Sequence, residues 1–321
     1  MKHYNIPIFV PHIGCPHDCA FCNQKKITGQ GSSTTSEDAV KIIEEHLLTF
    51  GENCDIQAAF FGGSFTGIPE DEQRKLLDVA SGYIKEGKIS GIRISTRPDY
   101  ISEKILDMLK SYGVNSIELG VQSMSDSVLT ANDRGHTAAD VEKAAELIKS
   151  YGFELGLQMM TGLYKSDFDT DLETGRKIAA LSPSTVRIYP TMVLGGTRLE
   201  ELYRKGLYTP PSLDETVELC SLLYELFTEK NIRVIRMGLQ ATDTICEKGE
   251  IIAGAYHSAF GELVHSRIQR RFLEDMAKKC TTDFLEIKVP ENMVSKTVGN
   301  KKENLKYIEE KYGIKVKVTA E

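Results

Sequence analysis

Short apolar runs alternate with longer amphipathic stretches along the N-terminal part of the chain. The runs are rich in Ile, Val, Leu and Phe, as is typical of buried parallel strands. Strands are predicted at 5–10, 57–61, 91–96, 116–121, 153–160 and 185–190. Between them, apolar residues recur at helical spacing over 37–49, 70–85, 102–112, 138–151 and 168–180. Six consecutive β–α units predict a parallel sheet with helices outside it.

Six units of this kind are too few for a complete eightfold barrel, which usually needs about 250 residues. The pattern therefore favours a partial, open (β/α)6 barrel of the TIM type, in the α/β class. Residues 197–206 and 212–230 predict further helices, and the apolar run at 232–237 is compatible with a seventh strand. Ser36 is predicted to cap the first helix.

The β–α repeat ends near residue 240, and a different order of elements begins near residue 280. A strand, two helices and a second strand are predicted at 284–290, 291–298, 303–312 and 314–319. We expect three parts, which are a partial barrel over 1–240, a helical connection packed on it over 241–280, and a small α/β tail over 281–321.

Composition narrows the class of protein. Hydrophobic residues make up 41% of the chain and charged residues 26%, which is typical of a globular enzyme. Because we find no apolar run long enough to span a bilayer and no signal-peptide cleavage site, we expect a cytoplasmic protein without a membrane partner. The net charge is −7, yet residues 265–321 carry 13 basic against 9 acidic side chains. This local excess suggests that the C-terminal end contacts a polyanion.

Three of the seven cysteines, Cys15, Cys19 and Cys22, lie close together after the first predicted strand. In a reducing compartment such a group favours metal or redox chemistry over disulfides. An iron–sulfur cube usually takes four thiolates, so three would leave one iron open to a substrate or cofactor. Two alternatives remain open, which are zinc completed by His12 or His17, and no metal.

Polar or glycine-containing segments follow the first four predicted strands. They are the cysteine loop, GGSFTG at 62–67, STRPDY at 95–100 and VQSMSD at 121–126. Because parallel barrel strands all end at one rim, we expect these four segments to converge on one site.

The spacing Cys-x3-Cys-x2-Cys, with Phe21 before the third cysteine, resembles the signature of radical S-adenosylmethionine (SAM) enzymes. The resemblance implies that the cysteines hold a [4Fe–4S] cluster and that SAM chelates its fourth iron. One electron then releases a 5′-deoxyadenosyl radical, which abstracts a hydrogen atom from the substrate. An external one-electron donor such as flavodoxin or ferredoxin is implied as a partner.

Further segments resemble the same family. Gly62 and Gly63 resemble its glycine motif, where bare backbone can approach the cofactor. Ser95 and Arg97 resemble the segment near the ribose and carboxylate, and Gln122 ends a strand at the same rim. The predicted cofactor contacts are Phe21, Gly62, Gly63, Ser95, Arg97 and Gln122.

Other polar residues are predicted at the same rim. Arg187 and Tyr189 end the sixth strand, and with Gln122 they are our predicted catalytic residues. Arg134 and His136, in DRGHT, either act at the site or form a loop-to-helix cap.

Within the superfamily, the chain resembles the radical domain of the Elongator catalytic subunit. ISTRPDY, IELGVQSMSDSVL, DRGHTAADV and IYPTMVLGGTRLEELYRKGLY carry this resemblance. That subunit modifies wobble uridine in tRNA with the help of a second, acetyl-CoA-binding domain, which we do not expect here. The resemblance therefore implies radical chemistry on tRNA or another RNA more strongly than it implies carboxymethylation.

The predicted tail, at 289–318, resembles a KH module, which binds the RNA backbone through a G-x-x-G loop. The corresponding residues are Gly299-Asn300-Lys301-Lys302, so lysine replaces the last glycine. Lys301 and Lys302 are predicted to bind RNA through their charge. Two other functions remain open, which are a radical enzyme for a small molecule such as a modified nucleobase, with a structural tail, and a non-catalytic metal-containing RNA-binding protein.

Overall fold

The strands follow the predicted order along the chain. The computed structural model describes residues 2–10, 19–22, 34–51, 53–239 and 250–321. Within these ranges the strands are β1 (Lys2–Val10), β2 (Cys54–Gly62), β3 (Gly91–Thr96), β4 (Val114–Gln122), β5 (Glu154–Thr161), β6 (Thr185–Pro190), β7 (Met192–Leu194), β8 (Arg233–Met237), β9 (Ile251–Gly254), β10 (Phe284–Val289) and β11 (Lys315–Ala320).

The helices fill the intervals between the strands. In the same ranges they are α1 (Ser36–Leu47), α2 (Glu70–Lys85), α3 (Glu103–Ser111), α4 (Asp126–Ala131), α5 (Ala138–Ser150), α6 (Phe168–Ala180), α7 (Arg198–Arg204), α8 (Leu213–Glu229), α9 (Phe260–Lys279), α10 (Glu291–Val298) and α11 (Glu303–Tyr312). None of these helices is long and apolar enough to cross a lipid bilayer.

The main sheet is parallel and curls into a partial barrel, as predicted. Its strand order in the described residues is β1-β2-β3-β4-β5-β6-β8. The six predicted strands are present, and the apolar run at 232–237 supplies the seventh, β8, which pairs with β6. Ile, Leu and Val side chains of these strands pack against the surrounding helices in one continuous core.

Local signals set several boundaries closely. The predicted bounds of α2, β3, α6 and β6 agree with the structure. The prediction that Ser36 caps α1 is wrong by one residue. Thr35 is the cap, because its hydroxyl accepts a hydrogen bond from the Asp38 amide at 3.2 Å and the Asp38 carboxylate accepts one from the Thr35 amide at 3.0 Å. This reciprocal pair is a capping box.

Helix α9 joins the barrel to the tail. Its first half contributes Phe260 and Val264 to the barrel core. Its second half contributes Leu273 and Ala277 to a separate core with Ile287, Val289, Ile308 and Ile314 of the tail. Arg267 and Arg271 of α9 bind the Glu218 carboxylate of α8 at 2.7 and 2.8 Å, which fixes α9 on the barrel.

The tail has the predicted order of strand, helix, helix and strand. Strands β10 and β11 pair in parallel, and α10 and α11 cover one face of the pair. The likeness of this unit to a KH module stays a prediction, as does the three-part division of the chain. The predicted boundary at residues 240 and 241 lies outside the described residues.

One pair of strands escaped the sequence prediction. Strands β7 and β9 pair in antiparallel orientation beside the main sheet. They have three and four residues, too few to show a period of two. This pair places Met192 and Leu194 next to the rim of the barrel, where the predicted site lies.

Candidate active site

A cavity of about 820 Å³ opens at the carboxyl ends of the strands and continues into the barrel interior. Every strand of the main sheet contributes to its wall. Ten residues predicted from the sequence to bind the cluster, the cofactor or the substrate line it, and these are Cys19, Phe21, Cys22, Gly62, Gly63, Ser95, Arg97, Gln122, Arg187 and Tyr189. The four segments expected to converge therefore meet at one cavity.

The other residues predicted to bind a metal or RNA are not among the described residues that line the cavity. Cys15, His12 and His17 lie outside the described residues. In the part of the chain that the structure describes, no three His, Cys, Asp or Glu side chains form a metal site. Lys301 and Lys302 lie in the tail and do not line the cavity.

The segment that carries Cys19 and Cys22 is fixed by backbone hydrogen bonds. The Ala20 amide donates to the Asn132 carbonyl at 3.0 Å, and the Leu199 amide donates to the Ala20 carbonyl at 2.7 Å. The Cys22 amide donates to the Cys19 carbonyl at 2.9 Å, which closes a tight turn. Both thiols are therefore held at the cavity by contacts with the segment after α4 and the start of α7.

The glycine segment after β2 forms another wall. Gly62 has φ +103°, and a Cβ at this residue would lie 3.0 Å from the Val10 carbonyl oxygen. Ser64 follows Gly62 and Gly63. Its hydroxyl shares a hydrogen bond with the Thr96 hydroxyl at 2.7 Å and accepts one from the Arg97 backbone amide at 3.2 Å. The segments after β2 and β3 are thus joined into one rigid surface that presents bare backbone to a ligand.

Arg97 has a structural role that the sequence did not predict. Its guanidinium donates to both carboxylate oxygens of Asp99 at 2.9 Å and to the Arg134 carbonyl at 2.6 Å. The side chain is only 2% exposed. A two-point pair of this kind fixes the guanidinium plane, so Arg97 holds the rim together, and its contact with a cofactor stays a prediction.

A buried ion pair crosses the cavity wall between β4 and β6. Arg187 Nε donates to Glu118 Oε2 at 2.7 Å, and Arg187 Nη1 donates to the Tyr189 hydroxyl at 3.3 Å. The Glu118 side chain is 4% exposed and also accepts the Ser95 hydroxyl at 3.4 Å. These bonds fix three of the predicted residues relative to one another. Glu118 was not predicted as a site residue, although a carboxylate inside an apolar strand is a usable signal.

Gln122 ends β4 in an unusual conformation. Its φ is +68°, in the left-handed region that non-glycine residues rarely adopt. The pairing of β4 with β5 is irregular between Gly120 and Gln122. The side-chain amide of Gln158 donates to the side-chain oxygen of Gln122 at 3.3 Å. Such strain at a cavity wall is frequent at functional sites.

Arg134 and His136 are not the cap of α5. Thr137 and Asp140 form that cap, with the Thr137 amide donating to Asp140 Oδ2 at 2.8 Å. Arg134 instead lines the cavity, where Nη1 donates to Cys19 Sγ at 3.5 Å. The structure therefore favours the interpretation of Arg134 as part of the site.

His136 is buried beside these arginines. Its Nε2 donates to the Val121 carbonyl at 3.2 Å. Burial, reinforced by the positive charges of Arg134 and Arg97, lowers the pKa of His136 to about 4. The ring is therefore neutral at physiological pH and adds no charge to the site.

The donors on the cavity wall fit a cluster and a nucleoside cofactor. Two thiols, Cys19 and Cys22, face it, and soft thiolate ligands suit iron–sulfur clusters. Gly62 and Gly63 line the cavity with backbone alone, and the positive φ of Gly62 and the close approach of the Val10 carbonyl both favour glycine there. The buried cation of Arg134 lies against a thiol rather than a carboxylate, which suits a negatively charged metal group.

The fold and site define a class of protein. The family description Radical SAM superfamily matches residues 9–178, just over half of the chain, and that of the Radical_SAM C-terminal domain matches residues 183–270. The chain belongs to the radical SAM superfamily, whose enzymes use a [4Fe–4S] cluster and SAM.

Particular relatives narrow the likeness. The tRNA uridine(34) acetyltransferase of Methanocaldococcus jannaschii is 30% identical over 213 residues, which are 65% of this chain and 37% of that protein. Elongator complex protein 3 of Homo sapiens is 32% identical over 203 residues, which are 57% of this chain and 37% of that protein. The chain thus spans little more than a third of the length of these curated relatives.

A solved structure shares the fold. Methanocaldococcus infernus Elp3 with an N-terminal deletion has a TM-score of 0.68 with this chain at 23% identity. The likeness covers 85% of this chain and 64% of that one. It supports the fold of the partial barrel.

Proposed function

We propose that this radical SAM enzyme modifies tRNA. One observation carries the proposal. Most of the residues that line the cavity lie within the two stretches that match the family, 9–178 and 183–270, and the chain's relatives include a tRNA uridine(34) acetyltransferase and Elongator complex protein 3. Since the chain spans only part of those relatives, its activity need not include their acetyl transfer.

The cluster side of the cavity is assigned first. Cys15, Cys19 and Cys22 hold a [4Fe–4S] cluster, and two of the three thiols already lie at the cavity. When bound, the cluster and SAM supply one-electron cleavage of the cofactor to a 5′-deoxyadenosyl radical. The reducing electron comes from an external donor such as flavodoxin or ferredoxin.

The proposed cofactor contacts surround this position. Gly62 and Gly63 present backbone to the methionine end of SAM. Ser95 and Gln122 offer polar groups on the neighbouring strands, and Phe21 packs beside the nucleoside. Arg97 holds the segment after β3 in place through Asp99. Together these residues orient the cofactor and exclude water, which is the protein's part in such chemistry.

The substrate lies against the opposite wall. Arg187 is fixed by Glu118 and in turn donates to the Tyr189 hydroxyl, and both residues line the same cavity. Gln122 lies between this pair and the cofactor segments along the rim. We assign these three residues to orientation of the substrate, with Arg187 held in place rather than mobile.

The tail is assigned to RNA binding. Lys301 and Lys302 are exposed, and both have left-handed backbone, with φ of 48° and 63°. Two lysines in this conformation project from the turn between α10 and α11, where a KH module contacts phosphates.

The cytoplasmic location expected from the sequence stays a prediction.

The test is anaerobic reconstitution followed by assay of 5′-deoxyadenosine formation, with and without total tRNA. We expect cleavage of SAM that increases with tRNA. We expect it to be lost in Cys19→Ala and Cys22→Ala, whereas Cys280→Ala, at the end of α9 and outside the cavity, keeps it. Mass spectrometry of nucleosides from a deletion strain should then show one modified tRNA nucleoside missing.

Two outcomes would change the proposal. If the rate of SAM cleavage did not depend on tRNA and the nucleoside profile of the deletion strain were unchanged, a small-molecule substrate and a structural tail would be favoured. No 5′-deoxyadenosine under strong reductant, with full iron loading, would contradict the radical activity itself.

A further inference from the structure

Arg134 is a buried cation with an unusual set of partners. The residue is 7% exposed. Nη2 donates to the Gly120 carbonyl at 2.6 Å, and Nη1 donates to Cys19 Sγ at 3.5 Å. Nε is buried and has no hydrogen-bond partner in the ranges that the structure describes. Among the described residues, no carboxylate forms an ion pair with Arg134.

This lack of a carboxylate sets Arg134 apart from the other buried arginines of the cavity. Arg97 pairs with Asp99, Arg187 with Glu118, and Arg93 with Glu154. A buried charge costs several kcal/mol unless it is compensated by a partner. Within the described part of the chain, the one soft, ionisable group that Arg134 contacts is the Cys19 sulfur.

The backbone of β4 makes room for this arrangement. A Cβ at Gly120 would lie 2.8 Å from Arg134 Nη2 and 3.0 Å from Gln122 Nε2. Any side chain at residue 120 would therefore push the guanidinium away from its present place. Glycine here fits the position of Arg134, and it is an observation independent of the contact with sulfur.

We propose that Arg134 is a positioning residue whose charge compensates the cluster held by Cys19 and makes the cluster easier to reduce. The proposal rests on the assignment of Cys19 as a cluster ligand. A cluster with three thiolates carries net negative charge, and one electron from the external donor makes it more negative. A fixed cation and N–H donor at the ligand sulfur stabilises the reduced state more than the oxidised one, because hydrogen bonds to cluster sulfurs raise the reduction potential.

The experiment is a dithionite titration of the reconstituted protein without SAM, with the reduced cluster measured by electron paramagnetic resonance. In Arg134→Leu we expect the ratio of reduced to oxidised cluster at a fixed potential to fall about tenfold, which is ~59 mV for one electron. Arg134→Lys keeps the charge and should show a smaller change. Gly120→Ala, which displaces the guanidinium, should shift the potential in the same direction.

A matched control separates this effect from loss of charge in general. Arg176 lies on the outer face of α6, where it pairs with Glu173 at 3.2 Å. Arg176→Leu should leave the potential unchanged. Equal potentials for the parent, Arg134→Leu and Gly120→Ala at full iron content would overturn the proposal.

Thermal unfolding distinguishes this role from a merely structural one. If the charge of Arg134 is compensated by the cluster, Arg134→Leu leaves the melting temperature of the cluster-free protein unchanged or raises it. The same substitution makes the rise in melting temperature on reconstitution of the cluster smaller. An equal fall in both forms, or loss of the fold, would show a structural role and overturn the proposal. A variant that folds but does not take up iron would support it.

The two assignments can fail separately. Full loading of Cys19→Ala would contradict the ligand assignment on which the proposal rests. If only the tRNA assay failed, the reduction potentials of the Arg134 variants would still test the proposal, because the titration needs no substrate.

Discussion

The barrel and the tail place their charges in opposite ways. In the barrel, ion pairs such as Arg187 with Glu118 are buried and face the cavity. In the tail, the interior is a small apolar cluster centred on Ile308, and the charged side chains lie outside it. Lys301 and Lys302 are exposed on the turn between α10 and α11.

This difference indicates two kinds of recognition. Buried pairs hold donors in one orientation and in a low-dielectric surrounding, which suits a small reacting group. Exposed lysines are mobile and screened by salt, which suits a large polyanion that approaches from solution. If both regions act on one tRNA, the barrel takes the nucleotide that reacts and the tail takes the backbone.

Breaking the barrel pair is expected to have the largest effect on stability. Glu118→Ala leaves Arg187 buried without its carboxylate, which should lower the free energy of unfolding by about 3–5 kcal/mol. Urea unfolding followed by circular dichroism measures this change. Replacing both partners, with Arg187→Met as the second substitution, should recover much of the loss, because the uncompensated charge is gone.

An exposed pair provides the control. Glu173 and Arg176 on α6 form an ion pair in which both side chains are more than half exposed. Glu173→Ala should cost less than about 1 kcal/mol. If Glu118→Ala proved no more destabilising than Glu173→Ala, the barrel interior would not hold its charges as the structure indicates.

The second prediction concerns pH. Burial raises the pKa of Asp171 to about 6, although the Ser166 hydroxyl and the Gly162 amide donate to its carboxylate. The folded protein therefore keeps a proton that the unfolded chain, with an ordinary pKa of 3.8, releases. Stability from this group is present below about pH 4 and is lost as pH rises to about 6, by ~2–3 kcal/mol.

The measurement is urea unfolding between pH 4 and pH 8 for the parent and Asp171→Asn. The variant should lack this fall in stability, so the difference between the two curves isolates Asp171. His136 acts in the opposite direction, since a lowered pKa removes stability as pH falls from 6.5 to about 4. Asp169→Asn, at an exposed residue of the same helix, is the control. Parallel curves for the parent and Asp171→Asn would contradict the assigned proton.

Glu274, in the half of α9 that packs against the tail, sharpens this contrast. Burial alone would raise the pKa of this carboxyl, but hydrogen bonds from Lys311, Tyr307 and Tyr312 lower it. Its contribution to stability is therefore lost as pH falls, whereas that of Asp171 is lost as pH rises. The buried carboxyl of Asp171 in the barrel and the paired carboxyl of Glu274 in α9 thus respond to pH with opposite sign.

Much of the fold could be predicted because its signals are local. Buried parallel strands are continuous apolar runs and their helices have clear periodicity, so β3 and α6 were predicted to the residue. The pair β7 and β9 was missed because such short strands carry no period. A helical connection was predicted over 241–280, but the bounds of α9 within it were not, because its arginines are satisfied by carboxylates of α8 rather than by neighbours in sequence.

The features of the site likewise divide into those that local sequence predicts and those that it does not. Residues at strand ends, such as Gly62 and Gln122, could be placed at the rim from topology alone. The partners of these residues could not, because they depend on contacts between distant segments. Arg134 and Cys19 are 115 residues apart, and Arg187 and Glu118 are 69 apart. No local pattern specifies such pairs.

The third prediction has the smallest effect on stability and tests the tail. Lys301→Ala combined with Lys302→Ala should change the free energy of unfolding by less than ~0.5 kcal/mol, because both side chains are exposed. Affinity for tRNA should fall about tenfold, and the slope of log affinity against log salt should become shallower by about 1 for each lysine that contacts a phosphate. Fluorescence anisotropy at several salt concentrations measures both.

Two lysines on the barrel form the matched control. Lys41 and Lys75 lie on α1 and α2, outside the cavity, and pair with Glu45 and Asp71. Their double alanine variant loses the same charge and should keep both affinity and salt slope. If the tail and barrel variants bound tRNA alike, the contrast between the two regions would not extend to recognition, and the tail would serve only to complete the fold through α9. If only the tail variant weakened, while 5′-deoxyadenosine formation at saturating tRNA stayed unchanged, the barrel would be assigned the reaction and the tail the capture of its substrate.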